Sequence, residues 1–376
     1  MKEYYIWFLN KFNFPNAAVR DLIVFYEQIQ ADDECYNELM GIVDRYRQDI
    51  NADVLQMIND VKSLSWTNAV HPFTRALIML ILMSKYLKGR YEEKGLPLDV
   101  WENSMKDLLY KCIECRLVYG IWGVFADWFG GFYHLTRFAL GRLQFDVSNS
   151  PIDYAGNKIT LKKGDKLLRV HIPRTGARLE RDEQVESYRL AADFFKPFFG
   201  DDKIVFTCES WLLFPAVKQM LSPQSNLFAF ISDYELMDSG YYDDFFSWAW
   251  RLYDTKEQDI DKLPQNTSLR KKYIDYVKSG KKSGWGYGAF VYSDANAEAE
   301  KEVLIAKFKN DNGERRINHG TVLRKTTRHI ARIGSNFVDR DHTYVRVFND
   351  APYQDFKITE RYGIYRGRYF NRSVLL

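Results

Sequence analysis

Residues 166–215 constrain the fold of this chain more tightly than any other stretch. Leu167-Leu168-Arg169-Val170-His171-Ile172 alternates and is β-branched enough for a strand, which Pro173 ends. A short basic turn follows, Arg174-Thr175-Gly176-Ala177-Arg178, built around a single glycine. Val185, Tyr188, Ala192, Phe195 and Phe199 then recur at helical spacing and give one apolar face. Ile204-Val205-Phe206-Thr207-Cys208 reads as a second strand of the buried type. A strand feeding a helix through a basic glycine turn leaves backbone N–H groups and a positive dipole end for an anion. The pyrophosphate of a nucleotide or an acyl-CoA needs that arrangement.

The rest of the chain divides around this unit. From residue 17 to about 135 the spacing predicts helices. Val19, Leu22-Ile23, Phe25-Tyr26 and Ile29 form one stripe, and Val54, Ile58, Val61 and Leu64 a second, with Asn51 as the expected N-cap. Phe73 to Leu87 is apolar almost throughout, as in a central buried helix, and Leu98 to Tyr119 resumes after the Gly95-Leu96-Pro97 break. Beyond Leu135 the texture changes. Thr136 to Val147 alternates with period two, a turn holds Asp153 and Gly156, and Lys158–Leu161 precedes the strand at 167–172. Closing strands are expected at Phe246–Tyr253 and Tyr287–Tyr292. The expected class is α+β: an all-helical domain over 1–134, a mixed sheet domain over 135–292, and a basic β-rich extension over 293–376. In that extension Ser293–Glu302 reads as a linker or short helix, and strand-like runs lie at Val303–Phe308, His342–Phe348, Asp355–Thr359 and Gly363–Phe370.

Composition excludes several classes. With 46% hydrophobic and 27% charged residues the chain reads as an ordinary globular protein. Its longest apolar run, Ala76–Met83, is too short to span a bilayer, and the N-terminus lacks the pattern of a signal peptide, so the cytoplasm is expected. The four cysteines make no disulfide framework. Cys112-x-x-Cys115 has neither a second pair nor histidines at metal spacing, so two core side chains are expected and no metal. Of the 53 Lys/Arg and 50 Asp/Glu, residues 301–376 hold 16 and 8. That leaves 37 against 42 for the first 300 residues, so the basic excess belongs to the tail.

Val170-His171-Ile172-Pro173, Gly176, Ser187-Tyr188, Ala192, Phe194-Phe195 and Cys208-Glu209-Ser210-Trp211-Leu212-Leu213-Phe214-Pro215 resemble a bacterial family of acyltransferase-domain proteins. Its members have a helical N-terminal domain and a GNAT-like C-terminal domain. The likeness continues through Ser225-Asn226-Leu227, Arg251-Leu252-Tyr253, Leu263-Pro264, Thr267-Ser268-Leu269 and Gly284-Trp285-Gly286-Tyr287-Gly288. It covers about residues 1–291 by order of elements and is specific between about 137 and 291. It implies acyl-CoA or acetyl-CoA as co-substrate and direct transfer to an amine or hydroxyl of a small-molecule or peptide acceptor. It does not name the acyl chain, the acceptor or the oligomeric state.

The resemblance also implies roles for particular residues. Val170 and Ile172, with Arg174, Thr175, Gly176, Ala177 and Arg178, would hold the CoA, both arginines standing exposed. Only one glycine stands in this turn, and Glu180, Asp182 and Glu183 would compete for the helix end. His171 and Glu209 are alternative general bases, the imidazole because it exchanges a proton near neutral pH. Cys208 could carry an acyl group or could simply be packed. Tyr234 is the named donor of a proton to the departing thiolate, with Tyr241 and Tyr242 as competitors. Gly284-x-Gly286-x-Gly288 precedes a strand, so it is expected to let Trp285 and Tyr287 pack, not to cradle a nucleotide. A second reading makes the chain a non-catalytic binding or regulatory protein. In it, Arg361, Tyr362, Tyr365, Arg366, Arg368, Tyr369 and Arg372 would hold nucleic acid through phosphate contacts and stacking, through residues 301–376 only.

Overall fold

The computed structural model describes residues 1–66, 69–199 and 203–292, together with the backbone of 342–345 and 356–359. Six long helices come first: α1 (Lys2–Lys11), α2 (Asn16–Gln30), α3 (Asp33–Gln48), α4 (Val54–Ser63), α5 (Pro72–Glu93) and α6 (Leu98–Tyr119), followed by the short α7 (Gly130–Tyr133). Their ends follow capping chemistry. Asp32 accepts from the Cys35 amide, His71 precedes Pro72 and accepts from the Phe73 amide, and Gly120 closes α6 at φ +73°. The cap of α4 is Asp53, whose carboxylate accepts from the Gln56 amide at 3.0 Å, and not the expected Asn51. α5 is the central element. Its residues 76–83 are all fully buried, as an apolar run surrounded by helices must be.

The second half is β1 (Arg137–Leu140), β2 (Leu143–Asn149), β3 (Tyr154–Ala155), β4 (Thr160–Leu161), β5 (Lys166–His171), α8 (Arg181–Phe199), β6 (Ile204–Ser210), α9 (Pro215–Met220), α10 (Asn226–Asp233), β7 (Glu235–Tyr241), α11 (Phe246–Tyr253), α12 (Ser268–Lys278) and β8 (Gly284–Tyr292). The expected run at 136–147 is a hairpin, turned at Gly141 with φ +67°. Phe246–Tyr253 is a helix and not the expected strand. Its aromatics alternate locally, yet Trp248, Ala249 and Tyr253 share a buried helical face, and Trp248 packs on Tyr273 of α12 at 5.2 Å. Edge strand β7 was not anticipated. In the tail, β9 (His342–Val345) pairs antiparallel with β10 (Phe356–Thr359). The expected linker at 293–302, the strands at 303–308 and 363–370 and the arginine–tyrosine run at 361–372 lie outside the described residues.

The main sheet has the order β1-β2-β5-β6-β8-β7 and is antiparallel except at β5–β6. α8 is the crossover between that parallel pair. It covers one face of the sheet, where Phe145, Leu168, Val170, Phe206 and Phe290 meet Tyr188, Phe194 and Phe195; Tyr188 lies 5.4 Å from Phe206 and 4.9 Å from Phe290. The opposite face is polar along its middle. The β3–β4 hairpin covers one end of it with Ile159 and Leu161 against Leu167 and Ala289. Glu235 pins this hairpin by accepting from Tyr154 Oη and from the amides of Asn157 and Lys158 at 2.7–2.9 Å. The helical domain approaches the other end, with Ser104 Oγ of α6 accepting from the Ala139 amide at 3.0 Å.

Candidate active site

The parallel strands β5 and β6 are in register only at Leu168↔Phe206 and Arg169↔Thr207. Beyond those pairs each strand stays bound to its outer neighbour, β5 to β2 as far as His171↔Gln144 and β6 to β8 as far as Ser210↔Gly286. The two strands therefore part at their C-terminal ends. The edges of residues 170–172 and 208–210 that face each other are not laddered, which leaves main-chain donors and acceptors open to an extended ligand.

Side-chain parity puts Arg169, His171, Thr207 and Glu209 on the polar face beside this opening. Asp146 on β2 organises them. Its side chain is 7% exposed, and Oδ2 accepts from Arg137 Nη2 at 2.9 Å, Arg169 Nη2 at 3.1 Å and His171 Nε2 at 3.2 Å, while Oδ1 accepts from Arg169 Nε at 2.8 Å. Burial by itself would raise this carboxyl's pKa, but the His171 and Arg169 hydrogen bonds and the charges of His171 and Arg137 hold it well below the usual range. Burial lowers the pKa of His171 more than Asp146 raises it, with Arg137 and Arg169 adding to the decrease. The imidazole is then neutral at neutral pH. Because a carboxylate can only accept, Nε2 carries the proton and Nδ1 keeps a lone pair.

The loop between α6 and α7 completes the site from the helical side. It docks on the start of α5: the Val124 amide donates to Phe73 O at 2.9 Å and Thr74 Oγ1 to Trp122 O at 2.8 Å. A Cβ at Gly123 would sit 2.5 Å from Phe73 C, so the approach requires glycine there. The loop brings Trp128 edge-on to His171, with ring centroids 4.9 Å apart, and under the Arg137 guanidinium at 3.9 Å. Gln144, opposite His171 on β2, donates to Asp107 Oδ1 of α6 at 2.9 Å and accepts from Trp128 Nε1 at 3.4 Å. Asp146, Trp128 and Gln144 were not singled out from sequence. The available signal was an acid flanked by Phe145 and Val147 in a strand, a position that is rarely left unpaired.

Two expected catalytic residues need correction. Cys208 has the parity of Phe206 and lies on the α8 face, 2% exposed, with burial pushing its thiol up to about 12. It is packed, and a thiol in that state is a poor nucleophile. Tyr234 is on that same side, buried, with its hydroxyl 3.3 Å from Tyr188 Oη and its ring 5.1 Å from Phe290. On the site's own face Tyr287 is the register partner of Glu209, and Tyr242 lies within electrostatic reach of both Glu209 and Arg251. Burial raises the pKa of both phenols.

The basic turn also differs from expectation. Gly176 has φ +82°, a backbone only glycine adopts cheaply, and Gly176, Ala177 and Arg178 are exposed. Arg174 is not free. It forms an ion pair with Asp254, which follows α11 at φ +59° and also holds Arg270 Nη2 at 2.6 Å. At the start of α8, the Glu183 amide donates to Asp182 Oδ1 at 3.0 Å, so an acidic side chain takes up one of the helix-end donors. Cys112 and Cys115 are buried free thiols, and among the described residues no group of His, Cys, Asp and Glu is set to hold a metal. No helix among them is long and apolar enough to cross a membrane.

A six-stranded sheet that parts at its parallel pair, with a neutral histidine beside the opening, is the architecture of an acyltransferase. Family models agree: that of the N-acyltransferase N-terminal domain matches residues 6–135, and that of the GNAT-like C-terminal domain matches residues 137–290. The chain belongs to the two-domain acyltransferase family that these domains define. Solved structures share the fold. An acyltransferase in complex with decanoyl-CoA and teicoplanin is 22% identical, with 75% of this chain and 86% of that chain covered and a TM-score of 0.58. An acyltransferase mutant in complex with octanoyl-CoA is 21% identical, covering 75% and 85%, with a TM-score of 0.59. A complex with CoA and 10C-teicoplanin is 21% identical over the same shares, with a TM-score of 0.58. No curated protein matches the chain.

Proposed function

We propose that the protein transfers an acyl group directly from an acyl-CoA thioester to an amine or hydroxyl of a small-molecule or peptide acceptor. The observation that carries this reading is the parting of β5 from β6 next to His171. The pantetheine arm would lie in that opening and continue the β5 edge, and the diphosphate would meet the Gly176–Arg178 backbone with the Arg178 side chain.

His171 is the general base in this scheme. Asp146 holds Nε2–H, so Nδ1 is free to take the acceptor's proton as its nucleophile attacks the thioester carbonyl. Glu209 is the alternative base from the facing strand. Main-chain N–H groups of residues 170–172 would receive the charge developing on the carbonyl oxygen. Tyr242, protonated at neutral pH, would return a proton to the thiolate as the carbon–sulfur bond breaks. Holding both substrates together supplies much of the rate, so weak acid–base groups suffice.

The fold neighbours' octanoyl- and decanoyl-CoA recommend these thioesters, with acetyl-CoA, as probes. The test is a thermal-shift series with CoA and the three acyl-CoAs, followed by CoA-thiol release in the presence of an amine panel. Saturable stabilisation and amine-dependent release support the proposal. No shift with any CoA species would overturn it.

A further inference from the structure

Arg251 is the one member of the Arg251-Leu252-Tyr253 run that the fold does not use. Tyr253 is buried and donates to Arg270 O at 3.0 Å, and Leu252 packs against the main core. Six arginines of the same domain, Arg137, Arg169, Arg174, Arg181, Arg189 and Arg270, each have a carboxylate partner. Among the described residues no carboxylate lies within ion-pair distance of Arg251. Its guanidinium instead rests on the Trp250 ring at 4.3 Å, and its side chain is exposed.

Stacking holds the planar cation in one orientation and leaves its edge N–H groups free for a second partner. Trp250 meets Phe125 of the helical domain at 4.9 Å, and Lys256 Nζ lies 5.5 Å from the Tyr119 ring, so this is one of the places where the two domains touch. Phe125 belongs to the loop that also carries Trp128 to His171. The field of Arg251 reaches Tyr242 and Glu114, and that of Tyr242 reaches Glu209. The aromatic surroundings lower the pKa of this guanidinium by desolvation, and those two groups only partly oppose it. An anion at its free edge would add an opposing charge that favours the charged guanidinium.

We propose that Arg251 binds a carboxylate on the acceptor, whose flat apolar part lies against Trp250 and Phe125. The acceptor class is thus an acidic, ring-bearing amine or alcohol. This rests on the acyltransferase reading above. The CoA phosphates are the other source of an anion, since the Arg174–Asp254 pair ties the basic turn to the end of the same helix, and the experiment separates the two.

The experiment compares phenylalanine and tyrosine with their carboxamides, which keep the amine and ring and lose the charge. Affinity for protein saturated with decanoyl-CoA, and decanoyl transfer, are measured for wild type, Arg251→Gln and Arg251→Lys. The expected result is a carboxylate preference of roughly 10- to 100-fold in wild type. It should vanish in Arg251→Gln and return in part in Arg251→Lys, with the decanoyl-CoA KM unchanged. Equal affinity for acid and amide in wild type, or no binding of either, overturns the proposal. So does a preference that survives Arg251→Gln. A raised decanoyl-CoA KM with the preference intact would assign the guanidinium to the CoA phosphates instead. Loss of decanoyl-CoA stabilisation in wild type would count against the acyltransferase reading, which this comparison keeps separate.

Discussion

His171 Nε2 lies 3.2 Å from Asp146 Oδ2, across the antiparallel pair β2–β5, and the same oxygen receives Arg137 and Arg169. One buried carboxylate therefore fixes the histidine's tautomer and pairs with two guanidiniums. Asp146→Asn should destabilise the fold. It leaves Arg137, whose side chain is 10% exposed, without its counter-charge, which costs about 3–5 kcal/mol for a buried pair and lowers Tm clearly. His171→Asn removes the base and leaves the Arg137–Asp146–Arg169 pairing in place, so it should lower kcat by about 10²–10⁴-fold with a small change in Tm. Matched melting curves and acyl-CoA turnover check both. A large loss of stability in His171→Asn, or unchanged turnover, would exclude the assigned role.

Both groups make the protein acid-sensitive. Asp146 has a depressed carboxyl pKa in the folded state, so its contribution is full above about pH 4 and is lost as pH falls through the folded value. His171 has a lowered pKa when folded, so below about pH 6.5 the unfolded chain binds a proton the folded chain refuses. Stability should fall from about pH 6.5 downward for the second reason and more steeply near pH 4 and below for the first. The acyl-transfer rate should be flat above pH 6.5, with its acidic limb centred below the ordinary imidazole value. Melting curves and rate profiles from pH 4 to 8 at constant ionic strength test this. A rate limb centred above pH 7 would contradict it.

Cys208 is packed on the α8 side of the sheet. Cys208→Ala should keep transfer activity within a few-fold and cost about 1 kcal/mol from the lost packing volume. Trapping of an acylated Cys208 by mass spectrometry during turnover would refute this.

Arg174 and Arg178 should separate in their effects. Arg174→Ala breaks the ion pair with Asp254, the residue that joins the basic turn to α11 and α12 through Arg270, so Tm without ligand should drop by a few degrees. Arg178→Ala touches an exposed side chain and should leave that Tm unchanged while shrinking the acyl-CoA-induced shift. The opposite pattern would mean that Arg174 is the phosphate ligand and the Asp254 contact is incidental.

Gly286 is a packing requirement. A Cβ there would lie 2.3 Å from Leu213 O and 2.5 Å from Leu213 C, both main chain, so the clash cannot be relieved by turning a side chain. Gly286→Ala should destabilise by about 1–3 kcal/mol, whereas at Gly41 a Cβ would meet nothing within 4 Å and Gly41→Ala should be neutral or stabilising. Urea unfolding of the two variants makes the comparison.

The helical half, the strand–turn–helix–strand unit at 166–215 and the class of protein were legible in the sequence. The first two rest on local periodicity, with apolar stripes one helical turn apart, two short buried strands, and a glycine between them that proves to need φ +82°; the class rests on the family resemblance of the motifs between about 137 and 291. Phe246–Tyr253 shows the limit of that signal, since eight residues of alternating aromatics satisfy either period and packing on Tyr273 selects the helix. The active site was half legible. His171 and Glu209 could be placed on one face only given that β5 and β6 are parallel neighbours, and the same parity then removed Cys208 to the other face. Asp146, Trp128 and the Arg174–Asp254 pair depended wholly on the tertiary structure. Alternation tells which residues share a face, but which charge meets which is decided by strands and loops far apart in the chain: Arg137 and Arg169 find Asp146 from either side, and Trp128 reaches His171 only because Gly123 lets its loop close on α5.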